Sequence, residues 1–146
     1  MFKIKPLRPD SKLPVKVYQG DAGFDVFSHD ENDYTLYPGD WRRFGLGFAM
    51  ELQHGWVALI QEKSGLAFNN GIITYGNVID SGYRGEVHAQ LLCHCNSPHP
   101  FVVKKHMKIA QMIILPCYTG TSYVVAHELS ESNRGEKGFG SSGLVV

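Results

Sequence analysis

Three stretches of this chain carry residue types that could do chemistry. Asp80 lies between the apolar pair Val78-Ile79 and the turn-like Ser81-Gly82, with Tyr83 three residues on. A carboxylate at a hairpin end can orient and deprotonate a water, and an aromatic ring beside it can pack against a sugar face. Taken alone, the simpler reading is a turn aspartate followed by a cross-strand tyrosine. Lys63, Ser64 and Gly65 stand at the end of the Trp56 to Ile60 strand and begin a short helical turn, where free backbone N–H groups and a cation can receive a phosphate. Taken alone, this too reads more simply, as a serine N-cap beside a solvated lysine. The last seventeen residues, Ser130 to Val146, hold four glycines and four serines, Ser141 and Ser142 among them, together with Arg134 and Phe139. Such a strand could close over a nucleotide, the ring stacking on the base while the guanidinium and hydroxyls hold terminal phosphates. By composition it is also a plain linker, but a lone large aromatic in a Gly/Ser tail has little reason to exist unless it docks on something.

Other motifs are excluded by their surroundings. Gly138, Gly140 and Gly143 spell G-x-G-x-x-G, yet only three residues follow, leaving no room for the helix and acidic residue of a dinucleotide fold. No G-x-x-x-x-G-K-[ST] run is present. His88, Cys93, His94, Cys95 and His99 resemble a zinc cluster, but on an alternating strand Cys93 and Cys95 share one face while His94 projects from the other. Buried cysteines and surface histidines are the better reading. His127-Glu128 lacks the downstream P-C-x-x-C of zinc nucleobase deaminases.

The elements that must position these residues are strands. Phe44, Leu46, Phe48, Met50 and Leu52 recur at every second position, as do Val87, Ala89, Leu91, Cys93 and Cys95, which is the period of half-buried strands. Val15 and Val17 alternate on a smaller scale, and Ile109 to Leu115 is a nearly continuous apolar run suited to a strand covered on both faces. Turn signals interrupt these runs at Asn32-Asp33, Pro38 to Asp40, Asn69 to Gly71 and Ser97 to Pro100. Only Ser64 to Phe68 suits a helical turn. The expectation is an all-β sandwich or barrel.

With 146 residues and 43% hydrophobic content the chain makes one domain that needs no disulfide or structural metal to fold. Fourteen basic residues balance fourteen acidic ones, which argues against a nucleic-acid face or a polybasic membrane segment. Three cysteines, an odd number, with no secretory or membrane-spanning segment, point to a reduced, cytoplasmic setting.

In chain order, Ala22-Gly23-Phe24-Asp25-Val26, Lys63-Ser64-Gly65-Leu66-Ala67, Val78-Ile79-Asp80-Ser81-Gly82-Tyr83-Arg84-Gly85-Glu86, Ile109-Ala110-Gln111 and Arg134-Gly135-Glu136-Lys137-Gly138-Phe139-Gly140-Ser141-Ser142-Gly143 resemble the five ordered motifs of the trimeric dUTPase family. The match spans residues 22 to 143, and its third and fifth motifs are the specific ones. The resemblance implies an all-β, jelly-roll-like subunit over residues 1–129 and a flexible Gly/Ser-rich C-terminal tail over 130–146. It implies a homotrimer whose three active sites each draw on all three chains, and the reaction of dUTP with water to give dUMP and pyrophosphate.

By the same resemblance, Asp80 is the general base and binds the deoxyribose 3′-hydroxyl, and Tyr83 packs where a ribonucleotide 2′-hydroxyl would clash. The backbone from Thr74 through Asn77, Val78 and Ile79 reads uracil. Leaving polar groups of such a site unpaired against cytosine can be worth ~10⁴-fold in discrimination. Ser64 contacts the phosphate at the bond being broken, with Lys63, Gly65 and Gln111 nearby. Phe139 and Gly140 belong to the tail segment that covers uracil, while Arg134, Ser141 and Ser142 hold the γ-phosphate. Mg²⁺ is carried by the substrate phosphates with no direct protein ligand, and Asp25 acts on its bound water.

Three positions depart from the family pattern. Lys63 stands where arginine is usual, a point charge without a bidentate fork. His106-Met107-Lys108 replace Gly-Asp-Arg, and Asn77 replaces a glycine. A dCTP deaminase-like enzyme of the same fold is an alternative, although that branch typically lacks the D-x-x-Y pairing. A dUTP-binding regulatory protein with its own protein partner is another.

Overall fold

The alternation from Phe44 to Leu52 produces strand β4 (Trp41–Glu51), with Phe44, Leu46, Phe48, Met50 and, just beyond it, Leu52 all at 5 % exposure or less. β8 (Glu86–Cys93) runs antiparallel to it with Phe44 opposite Ala89, and Val87, Ala89, Leu91 and Cys93 are fully buried. Cys95, expected to continue that face, is exposed because the strand ends at Cys93 and the chain turns. The computed structural model describes residues 2–138.

β1 (Lys3–Pro6) and β6 (Ile72–Thr74) complete a four-stranded sheet in the order β1-β4-β8-β6. A second sheet has the order β2 (Phe24–Phe27), β10 (Lys108–Pro116), β5 (Trp56–Gln61), β7 (Val78–Asp80). β3 (Tyr34–Leu36) and β9 (Phe101–Val103) form a separate pair. One core joins them: Phe44, Leu46 and Leu91 from the first sheet pack with Val26, Ile60 and Met112 from the second, and Leu36 and Val103 from the third. Each such side chain contributes about 1.5–3 kcal/mol on burial, so the all-β sandwich is held by contacts between sheets.

Two expectations need adjustment. Val15 forms only an isolated bridge to Asp25, and Val15 and Val17 are both exposed, so that segment is not a strand. β10 is covered on both faces only in its first half: Ile109, Ala110 and Met112 are at most 1 % exposed but Leu115 is 42 % exposed, and β2 likewise flanks β10 only from Lys108 to Met112.

Local backbone chemistry fits the rest. α1 (Ser64–Asn70) buries no side chain and stops at Gly71, whose φ of 64° makes a left-handed cap with its N–H donating to Ala67 O at 3.0 Å. Gly47, φ 72°, sits where the β4–β8 register shifts; its N–H donates to Glu86 Oε1 at 2.9 Å, and a Cβ there would stand 2.5 Å from His29 Cδ2. A bulge with a left-handed residue requires glycine.

The last strand ends at Pro116. Among residues 117–138 no strand follows, and Tyr118, Tyr123, Val124, Val125 and Leu129 are each more than 80 % exposed. All three cysteines are free, and among the described residues no helix is long and apolar enough to cross a membrane.

Candidate active site

Asp25, Gln111 and Gln61 form one row across the second sheet, Gln111 standing opposite Asp25 on one side and Gln61 on the other. Gln111 Nε2 donates to the Glu62 carbonyl at 2.9 Å, and Gly23 leaves room for it, since a Cβ there would meet Gln111 Oε1 at 2.8 Å. The Asp25 carboxylate, 13 % exposed, takes the Lys63 ammonium on Oδ1 and Lys108 Nζ at 2.8 Å on Oδ2. Burial, the largest single influence, pushes its pKa up, but the hydrogen bonds and charges of Lys108 and Lys63 together outweigh it and hold the carboxyl below its ordinary value.

Lys63 is itself the residue that caps α1, with extended backbone and no side-chain capping bond. Ser64 is therefore the first helical residue rather than the cap, and Lys63 is ion-paired rather than solvated. That overturns both halves of the simpler sequence reading. Ser64 and Gly65 are exposed, and as the first two helical residues their N–H groups have no intrahelical acceptor. Two ammoniums, one carboxylate and two free N–H groups leave a local excess of positive charge suited to phosphate.

Asp80 ends β7, an edge strand paired only with β5. Ile60 N–H donates to Asn77 O at 2.9 Å, so by antiparallel alternation Asn77 and Ile79 face β5 while the backbone groups of Gly76, Val78 and Asp80 point outward. Thr74 is buried and its hydroxyl is engaged within the fold, donating to Glu62 Oε2 at 3.2 Å and accepting from Asn77 Nδ2 at 3.1 Å. Tyr83 N–H donates to Asp80 O at 3.1 Å, and the Tyr83 hydroxyl donates to Glu86 O at 2.8 Å. This lays the ring across Gly85, where a Cβ would collide with it. Asp80, Tyr83, Ile79 and Gly76 line an open pocket of about 190 Å³ with Arg43 and His88.

The sequence-predicted residues therefore fall into separate groups. Asp80 is level with Val57 on β5, whereas Gln111 is level with Gln61. Four residues of strand separate those levels, about 13 Å. Arg134 joins neither group: it lies in the exposed segment after β10, its Nε donating to Lys137 O at 2.9 Å. Phe139, Gly140, Ser141 and Ser142 lie outside the described residues.

Sequence reasoning missed Lys108, met only as a departure from a motif, and Arg43. Arg43 faces away from the core on a strand whose alternation is visible, and Lys108 opens the strand read as a continuous apolar run, but nothing local says what either side chain reaches. His88, weighed for zinc, stands in the Asp80 pocket instead, Cys93 is in the core, and His94, Cys95 and His99 are exposed, so these residues form no cluster, as the strand alternation implied, although Cys95 is not buried. Among the residues around Ser64, Asp25 supplies the carboxylate, and both its oxygens are occupied by lysines. A Mg²⁺ there fits as an ion borne by phosphates.

The profile of the dUTPase family matches residues 10–143. The chain is 38% identical over 145 residues to a deoxyuridine 5′-triphosphate nucleotidohydrolase of Clostridioides difficile, covering 98% of each chain. It is 41% identical over 144 residues to the enzyme of that name from Clostridium tetani, covering 97% of this chain and 96% of the other. In three dimensions it is similar to the Staphylococcus bacteriophage 80alpha dUTPase solved with dUpNHpp, with a TM-score of 0.85, 26% identity and 99% of each chain covered.

Proposed function

The chain belongs to the dUTPase family, and from that premise we propose that this dUTP nucleotidohydrolase converts dUTP and water to dUMP and pyrophosphate at sites shared between copies of the chain in a homotrimer. The separation of Asp80 from Lys63, Ser64 and Gln111 along β5 carries this reading. A triphosphate held by the second group cannot also present its α-phosphorus to Asp80 of the same chain, so Asp80 and Tyr83 come from a neighbour. The exposed Tyr118, Tyr123, Val124, Val125 and Leu129 after β10 support it, because so much apolar surface on an unpaired segment calls for a partner to cover it.

In the assembled site, the outward backbone of Gly76, Val78 and Asp80 reads the edge of uracil, with Thr74, Asn77 and Ile79 holding that strand in place. Tyr83 stacks under the deoxyribose. Asp80 accepts the proton of the water attacking the α-phosphorus in line, and pyrophosphate leaves from the opposite side. Lys63, the Ser64 and Gly65 N–H groups and Gln111 hold the phosphates. Arg134, Phe139, Gly140, Ser141 and Ser142 close from a third chain. Mg²⁺, when bound to the triphosphate, neutralises charge that would repel the attacking water. Asp25, its oxygens paired with Lys63 and Lys108, keeps Lys63 aimed at the phosphates and would act on the ion's water rather than as a direct ligand. Three free thiols agree with a cytoplasmic setting.

Subunit mixing tests the shared site. Refolding inactive Asp80→Asn together with inactive Gln111→Ala should restore about a quarter of wild-type activity, because in randomly mixed trimers that fraction of sites draws an intact residue from each chain. No recovery from verified mixed trimers would place the whole site within one chain.

A further inference from the structure

Three segments distant in sequence meet at Asp10, His29 and His106. Asp10 Oδ1 lies 3.5 Å from His29 Nε2, Oδ2 lies 3.7 Å from His106 Nε2, and the two imidazoles meet edge to face with centroids 5.1 Å apart. One donor atom from each residue falls within 4.8 Å of the others. His29 is 2 % exposed, and both Nε2 atoms are buried without a hydrogen-bond partner among the described residues. Native interiors rarely leave two such nitrogens unsatisfied at one point. His106 also holds a φ of 60°, a strained left-handed conformation for a residue with a side chain.

We propose that Asp10, His29 and His106 bind a divalent transition-metal ion of the zinc type, in a site separate from the phosphate-borne Mg²⁺. Two neutral imidazoles and one carboxylate are a donor set for Zn²⁺ or Co²⁺, whereas Mg²⁺ and Ca²⁺ prefer oxygen alone. A water completes the tetrahedron. The surrounding cations can be accommodated. Lys105 Nζ sits 2.9 Å from Asp10 Oδ2 and 3.0 Å from Glu31 Oε2, so coordination through Oδ1 leaves Lys105 its partners.

Arg8 sets the state of the empty site. Its Nη1, which can only donate, is 3.2 Å from His29 Nδ1, so the metal-free ring carries its proton on Nε2. Metal at Nε2 moves that proton to Nδ1, and Arg8 gives way toward Glu86 Oε1, already 3.3 Å from the same nitrogen. Arg8 is therefore a competitor of the metal. A bound ion would tie the segment after β1 to the end of β2 and to the turn that leads into Lys108.

The test titrates Zn²⁺ and Co²⁺ into intact protein carrying Cys95→Ser, which removes the exposed thiol. Calorimetry should find one ion per chain, melting should shift upward by about 5–10 °C at ~100-fold excess over Kd, and the Co²⁺ spectrum should show nitrogen and oxygen ligands without thiolate. His106→Gly, which suits the backbone, should keep its metal-free melting temperature and lose at least about tenfold in affinity. Asp10→Asn should lose affinity as well, and Arg8→Met should tighten binding. Absence of binding, or binding that His106→Gly and Asp10→Asn leave unchanged, overturns the site.

Discussion

Lys108 Nζ lies 2.8 Å from Oδ2 of Asp25, across the carboxylate from the Lys63 ammonium on Oδ1. One carboxylate thus spaces two cations, one at the start of β10 and the other at the cap of α1. Removing either lysine frees an oxygen of Asp25 and changes where the other cation rests.

Lys108→Met should lower kcat/KM for dUTP by about tenfold, mainly through KM, because the phosphate loses a positioned charge rather than a reacting group. Lys108→Arg should restore most of the loss, since a guanidinium can keep the Asp25 contact. Steady-state kinetics on the three proteins decides it, and an Arg variant as poor as Met would remove Lys108 from this role.

Asp25 predicts acid sensitivity with a definite sign. Its folded-state pKa is depressed, so the native state binds this proton less readily than the unfolded chain. The stabilisation is fully present above the unfolded value of about 3.9 and is lost as pH falls through the lower folded value. Melting temperatures between pH 5 and pH 2.5 should fall more steeply for the wild type than for Asp25→Asn; parallel curves would contradict the linkage.

Tyr83 should govern sugar selectivity. Its hydroxyl is fixed by the Glu86 carbonyl and its ring lies over Gly85, so the face beside Asp80 is rigid. Tyr83→Ala should narrow the preference for dUTP over UTP by at least about tenfold, while Tyr83→Phe keeps the ring and should change it little. Competition assays with both nucleotides read the ratio directly.

Deleting residues 130–146 should leave the fold intact, because the core cluster ends with β10, and should reduce turnover at least about 100-fold through loss of the closing segment. Unchanged melting with unchanged turnover would show that the tail takes no part in closure.

Much of the fold was legible in the chain because a strand that buries one face announces itself with a period of two. Phe44 to Leu52 and Val87 to Cys93 are readable for that reason, and Cys95 misled only because a turn, not composition, ended the strand. Asp80, Tyr83, Lys63 and Ser64 were legible as candidates since residue type and neighbours carry that information locally. Which strands become neighbours is a different matter. The register that sets Gln111 beside Gln61 and Asp80 beside Val57, and so separates two halves of one chemistry, depends on pairings between distant segments. So do the grip of Lys108 on Asp25 and the meeting of Asp10, His29 and His106. Sequence by itself determined the kind of fold and the chemistry on offer; only the tertiary structure decided which residues share a pocket, because side-chain proximity arises from long-range packing that no local pattern encodes.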